Sequence, residues 1–280
     1  MKPSLLNQIL EEPQALSVRF QPIFELRPEG NQVTSLEGLI RGPKGTKFER
    51  ADILFDYVRR KRAESEVDRA CITAISKSVA ELPFDCRINL NVHASTLGKS
   101  PEFVEFFQSQ MHELALPADR FILEIVEHSP THNVPGLISN LKELRKSGVR
   151  IALDDIGLGS SNYRTILDCR PEYFKLDAFF VQGVSSDSDR RGVVKSVLCL
   201  AHDMEGVVIA EGVRNPEDLS TLTQMGISCF QANILCPAIP PHELLTKDFE
   251  GMTQATSDRS RVSPRATQKT GLPDFYSFHH

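Results

Sequence analysis

The sequence has no tryptophan, no Cys-x-x-Cys pair, no excess of basic residues and no long apolar run. Its 32 basic residues against 37 acidic ones give a net charge of −5. That excludes a nucleic-acid coat and a polybasic membrane binder, since either needs a large positive field. No apolar stretch approaches the roughly 20 residues needed to span a bilayer. The opening MKPSLLNQILEEPQ, with proline at position 3 and acids by position 11, is a poor secretory signal. Six scattered cysteines (Cys71, Cys86, Cys169, Cys199, Cys229, Cys236) read as reduced, mostly buried thiols of a cytoplasmic protein. What remains is 280 residues, 40% hydrophobic and 25% charged, a balance that suits one large barrel-type domain or two smaller ones.

Short apolar, β-branched runs recur at residues 18–24, 33–39, 87–91, 121–126, 150–153, 173–176, 207–210 and 228–230. Helical spacing fills the gaps between them. Val67, Ala70, Cys71, Ala74, Ile75 and Val79 form one apolar stripe; Leu137, Ile138, Leu141 and Leu144 form another. Val193, Val194, Val197, Leu198 and Ala201 form a third. Asn215 followed by Pro216 is a helix start, after which Leu219, Leu222 and Met225 are expected to face inward. Eight strands alternating with helices predict an α/β fold, a TIM-like (β/α)8 barrel. Only residues 25–32 separate the first two strands, too few for a parallel crossover. The first strand should therefore run antiparallel to the second. Residues 1–15 read as a lead-in with no room for a sensor or cyclase domain, 16–250 as the barrel and 251–280 as a polar, disordered tail. The tail's Phe275, Tyr276 and Phe278 offer a contact for a protein partner, although most such tails dock on nothing.

Acids collect where these strands end. Glu37 is expected at the end of the second strand and Asn91 at the end of the third. Glu124 and Glu127 close the fourth, Asp154 and Asp155 the fifth, Lys175 and Asp177 the sixth, Glu211 the seventh and Gln231 the eighth. In such a barrel the carboxyl ends of the strands form the active rim. Clustered carboxylates resist desolvation unless a cation sits among them, and a hard divalent ion is the economical answer. Carboxylate and amide oxygens suit Mg²⁺ or Mn²⁺, whereas a zinc-type site would call for Cys or His at these strand ends. Adjacent Asp154 and Asp155 could serve two ions, which together clamp a phosphodiester displacement. Taken singly, each acid reads as a helix cap or solvated charge, and His93 and His128 as loop histidines. So many strands ending alike argue against coincidence.

At these residues the chain resembles the EAL-domain family of cyclic di-GMP phosphodiesterases. The stretch SLEGLIRGPKGT (35–46) is similar to the family's Glu-Ala-Leu-x-Arg motif, and RFQPIFEL (19–26) to its first strand. LNVHASTL, LEIVE, LDDIGLG, KLD and AEGV follow in order, then Gln231 and Pro237. The resemblance implies a barrel with its first strand antiparallel and a reaction, hydrolysis of cyclic di-GMP to linear pGpG with two Mg²⁺ or Mn²⁺ ions. It implies Glu37, Asn91, Glu124, Asp154 and Asp155 as metal ligands and Lys175 on the nucleophilic water or phosphate. Glu211 and Gln231 would complete the site, and Glu127 would brace the loop after the fifth strand. Gln21, Leu39, Arg41, Gln231 and Pro237 would contact the dinucleotide, and a homodimer would form through residues 156–168. The chain departs from the pattern at Gly38, Ile156, Arg214, Ala232 and Asn233, none of them an implied ligand. The rival expectation is a catalytically silent EAL-type receptor for the dinucleotide or a protein. A metal-dependent barrel acting on another phosphodiester ranks last.

Overall fold

A computed structural model describes residues 6–7, 9, 15–28, 30–82, 86–100, 102–126, 136–157 and 163–247. Its eight strands are β1 Ser17–Glu25, β2 Gln32–Arg41, β3 Arg87–His93, β4 Phe121–Val126, β5 Arg150–Ile156, β6 Tyr173–Leu176, β7 Val207–Glu211 and β8 Cys229–Gln231. They close in sequence order into one barrel. β1 runs antiparallel to both β2 and β8, and the other six pairings are parallel. The reversed first strand follows from the short connection, as expected. Above the short β1–β8 pairing, Phe20 and Ile239 exchange backbone hydrogen bonds at 2.7 and 2.9 Å, so the segment after β8 continues the closure beside β1.

Helices cover the outside. Glu64–Ala80 buries Val67, Cys71, Ile75 and Val79 of the predicted stripe together with Ile72, while Ala70 and Ala74 are only partly buried. Leu137–Lys146 buries Leu137, Leu141 and Leu144, but Ile138 is exposed; Ser188–Asp203 likewise exposes Val193. A stripe of adjacent apolar residues spans more arc than a barrel face covers, so its edge member turns outward. Pro216–Gln224 begins as its sequence predicts, with Asn215 accepting a hydrogen bond from the Asp218 amide. Among the described residues no helix is long and apolar enough to cross a membrane.

Side chains alternate across a strand, so each strand sends every second residue into the barrel. At its lower end Ile23, Ile209 and Cys229 form a small apolar cluster with Tyr173 against it. Two residues along each of those strands stand Gln21, Glu211, Gln231 and Lys175. The same parity brings Glu37 in from β2, Asn91 from β3, Glu124 from β4 and Asp154 from β5, one residue per strand. The barrel is thus filled by an apolar plug below and a ring of eight polar side chains above it.

Asp218 ties down the connection that follows this ring. Its carboxylate accepts hydrogen bonds from the amides of Gly183 and Ser185 at 2.9 and 3.0 Å and from Asn215 Nδ2 at 2.8 Å. Asp218→Ala should leave those donors unmatched and lower stability by about 2–4 kcal/mol. Denaturant unfolding that returns the parent midpoint would contradict this.

Candidate functional site

The ring sits deeper than its strand ends suggested. β2 runs four residues past Glu37, and β3 and β4 run two past Asn91 and Glu124. Pairing with β1 prolongs β2 as far as Arg41 opposite Ser17, so Glu37 lies mid-strand and buried. Glu124 is also fully buried. The acids therefore lie inside the barrel mouth, largely out of water.

At the centre is Lys175, only 1% exposed. Its ammonium lies 2.7 Å from Glu124, 2.7 Å from Glu211, 3.4 Å from Glu37 and 3.6 Å from Asp154. Amides complete the network. Glu37 accepts from Asn91 Nδ2 at 2.6 Å and from Gln231 Nε2 at 2.5 Å, and Gln231 also donates to Gln21 at 3.2 Å. Glu124 accepts from Asn89 Nδ2 at 2.5 Å. Asn89 was missed in the sequence, although its position two residues before Asn91 puts it on the same face of β3.

Adjacent strand residues point to opposite faces, so Asp154 and Asp155 cannot both reach the mouth from regular β structure. The backbone solves this at Asp155, whose φ of +52° lies in the left-handed region, where β5 and β6 lose regular register. Oxygens of Asp154, Asp155 and Glu211 consequently come within 4.8 Å of one another. Gly157 follows at φ +95°, and a Cβ there would stand 2.5 Å from the Phe180 ring.

One ammonium cannot keep all these carboxylates ionised. Burial disfavours the charge on Lys175, but Asp154, Glu124, Glu211 and Glu37 reverse that and hold it well above its ordinary value. Burial would raise Glu37 too, yet Lys175 and the hydrogen bonds from Gln231 and Asn91 hold its carboxyl low. The others lose. Burial and the Glu37 charge push Glu124 well above the carboxylate range despite its contact with Lys175. Burial, with Asp154 beside it, pushes Asp155 up to about 6. Burial, with Asp154 and Glu37 near, pushes Glu211 up to about 8. Gln231 Oε1 is buried with no partner among the described residues. Uncompensated hard oxygen donors suit a divalent cation, so the residues present fit such an ion.

A cavity of about 410 Å³ opens beside the ring. Glu37, Asn91 and Asp154 form its inner end, Leu39 and Arg41 one wall, and Asp52, Phe55 and Arg59 its outer side. Pro237, itself exposed, is on the segment after β8 and does not line this cavity. His93 also lines the cavity and is no loop histidine: it ends β3, buried, with Nδ1 2.9 Å from Asp68 Oδ1. Asp68 accepts as well from the His93 amide and from Thr96 Oγ1, which fixes the turn out of β3. The sequence signals neither Asp68 nor the cavity's outer side, because both come from helices packed against the strands. Glu127, His128 and the tail from 251 onward lie outside the described residues.

The EAL domain family model matches residues 4–238. The chain belongs to the EAL domain family. It is 28% identical over 172 residues to the cyclic di-GMP phosphodiesterase RocR of Pseudomonas aeruginosa, covering 61% of this chain and 44% of that protein. With the cyclic di-GMP phosphodiesterase PdeB of Shewanella oneidensis it shares 28% over 231 residues, 81% of this chain and 26% of PdeB. The chain thus spans less than half the length of these relatives. The calcium and cyclic di-GMP complex of Klebsiella pneumoniae BlrP1 superposes with a TM-score of 0.73 at 24% identity, over 86% of this chain and 59% of that one. The shared architecture is the EAL barrel.

Within that family motif, the residue after Glu37 here is Gly38, and Ile75 occupies the vacated space. A Cβ on Gly38 would lie 2.7 Å from Ile75 Cγ2 and 2.8 Å from Cδ1. Gly38→Ala should cost about 1–3 kcal/mol through overpacking directly behind Glu37. Paired with Ile75→Ala, it should cost at least about 1 kcal/mol less than the two single changes combined. Strict additivity in denaturant unfolding would refute the coupling.

The raised acids also set a pH dependence. A carboxyl whose folded value exceeds its unfolded one leaves the folded state binding more protons, so stability falls as pH rises through that interval. For Asp155 and Glu211 it runs from ordinary carboxylate values to about 6 and about 8. Chelator-treated protein should melt at a lower temperature at pH 8 than at pH 5, and Glu211→Gln should flatten the slope. Mn²⁺ should stabilise more at pH 8. Melting temperatures independent of pH would rule this out.

Proposed function

We propose that this chain hydrolyses cyclic di-GMP to linear pGpG, using divalent metal ions. The observation that carries the reading is the ring of acids and amides, one from each strand but β6, whose negative charge exceeds what Lys175 of β6 can neutralise. The names of its relatives RocR and PdeB support the substrate.

Glu37, Asn91, Glu124, Asp154 and Asp155 would hold two ions, Mg²⁺ or Mn²⁺. Bound there, such ions supply Lewis-acid activation of water and neutralise charge building on the phosphate. The chain's own groups do the rest. Lys175 stays protonated, so it acts as a fixed cation and donor facing the attacked phosphate rather than as a base. Glu211, 2.7 Å from it, would orient the attacking water. Gln231 holds Glu37 in place through Nε2. Leu39 and Arg41 line the adjoining cavity, where the guanidinium suits a phosphate oxygen and the leucine a base or ribose face. Gln21 donates to Asn233 and to the Cys236 carbonyl, and so links the ring to the segment carrying Pro237, which would contact the dinucleotide from the rim. Tyr163 and Leu167, one turn apart on helix Tyr163–Cys169, are 72% and 68% exposed. They form the apolar face through which a homodimer would associate.

The test is chromatography of products after incubation with cyclic di-GMP and Mg²⁺ or Mn²⁺. A metal-dependent pGpG peak is expected. Glu37→Ala should lower turnover by about a thousandfold. Arg41→Ala should raise KM about tenfold with little change in kcat. Binding without product in either ion would instead make the chain a receptor.

A further inference from the structure

Charge is unevenly placed along this acidic chain. Eight of its 32 basic residues, but only three of its 37 acidic ones, lie between Arg41 and Arg62. The structure sets this segment against the cavity: Arg41, Ala51, Asp52, Phe55 and Arg59 all line it. Ion pairs absorb part of the charge, Arg50 to Asp52 at 2.7 Å and Arg60 and Arg59 to Asp56 at 2.7 and 3.7 Å. Lys44, Lys47, Lys61 and Arg62 are exposed, and among the described residues none has a carboxylate within ion-pair distance.

Two of these four are nevertheless held in place. Lys47 Nζ lies 5.1 Å from the centre of the Phe48 ring and Lys61 Nζ 5.7 Å from that of Tyr57. The two rings pack against each other at 5.1 Å. A carboxylate partner would fix an ammonium and cancel its field, whereas an aromatic face fixes it and leaves the charge in place. The barrel mouth beside them carries the opposite sign.

We propose that Lys44, Lys47, Lys61 and Arg62 form a cationic collar that draws an anionic cyclic dinucleotide toward the cavity, past a mouth whose own carboxylates repel it. This rests on the phosphodiesterase reading and deepens it. A surface charge acts over roughly 8–10 Å at physiological salt. Lys61 is two residues beyond cavity-lining Arg59, and Lys47 four before Ala51. The collar therefore acts on the rate of capture, a process set by long-range field.

The experiment is stopped-flow association of fluorescently labelled cyclic di-GMP with the full chain in Mn²⁺, as a function of NaCl. The variant carries Lys44→Gln, Lys47→Gln, Lys61→Gln and Arg62→Gln together, and a companion carries Lys44→Arg, Lys47→Arg and Lys61→Arg. At about 20 mM salt the neutralised variant should associate about tenfold more slowly, and its rate should converge on that of the parent near 0.5 M. The charge-keeping companion should match the parent throughout. Equal rates and equal salt slopes in parent and neutralised variant would overturn the collar while leaving the phosphodiesterase reading intact. An equal loss in the companion would overturn it too, by tracing the effect to packing. No binding by the parent chain would overturn both.

Discussion

Everything in the barrel mouth is arranged around one buried ammonium. Lys175 enters from β6 with carboxylates on all sides, and its charge is tolerable there only because they are present. The dependence runs both ways, since Glu37 is buried and would be untenable as an anion without it. The balance is incomplete. One positive charge faces four carboxylates within 4 Å, with a fifth, Asp155, beside Asp154 and Glu211, so several are held above their ordinary range. A site built only for stability would have matched the charges or replaced them with apolar side chains. An unmatched set of hard oxygen donors is the physical signature of a site that expects cations.

The network depends on register. Each ring residue sits two positions from a lower-layer neighbour on its strand, so a slip of one residue would send apolar side chains into the mouth and acids into the helical shell. The apolar plug of Ile23, Ile209 and Cys229 opposes such a slip, because those residues would lose burial together. The reversed β1 fits the same rule. It brings Gln21 to the ring with Ile23 below, the reverse of the sequence direction in β6, β7 and β8.

Much of this was legible in the sequence because it depends on local signals. Eight apolar runs, one connection too short to cross over and a recurring polar residue near each strand's end were enough to predict the barrel, its reversed strand and the ring. Depth was not legible. Where a strand stops depends on its partner, and the pairing with β1 carries β2 beyond Glu37 and turns a predicted rim residue into a buried one. Residues contributed by packed helices were also hidden, Asp68 beneath His93 being the clearest case. So was the left-handed turn at Asp155, which the pair of aspartates alone does not announce. Gly38 looks like a weakened motif until Ile75 is seen filling the space behind it. The departure is compensated by a residue 37 positions away, which no local reading could connect.

The unmatched acids bear on the order of events under the proposed function. A dianionic substrate approaching the empty ring meets net negative charge in a partly desolvated mouth, where repulsion is poorly screened. Cations held by Glu37, Asn91, Glu124, Asp154 and Asp155 would reverse that sign. Metal and dinucleotide must then favour one another's binding by the same factor, because coupling between two sites is reciprocal. Lys44, Lys47, Lys61 and Arg62 sit outside the ring and cannot substitute for those ions, since none pairs with its buried carboxylates. They act earlier, on the approach. On that reading the chain separates two electrostatic tasks in space: exposed cations, two of them held by aromatic faces, would attract the substrate, and a buried acidic ring would hold the ions that make its phosphate reactive.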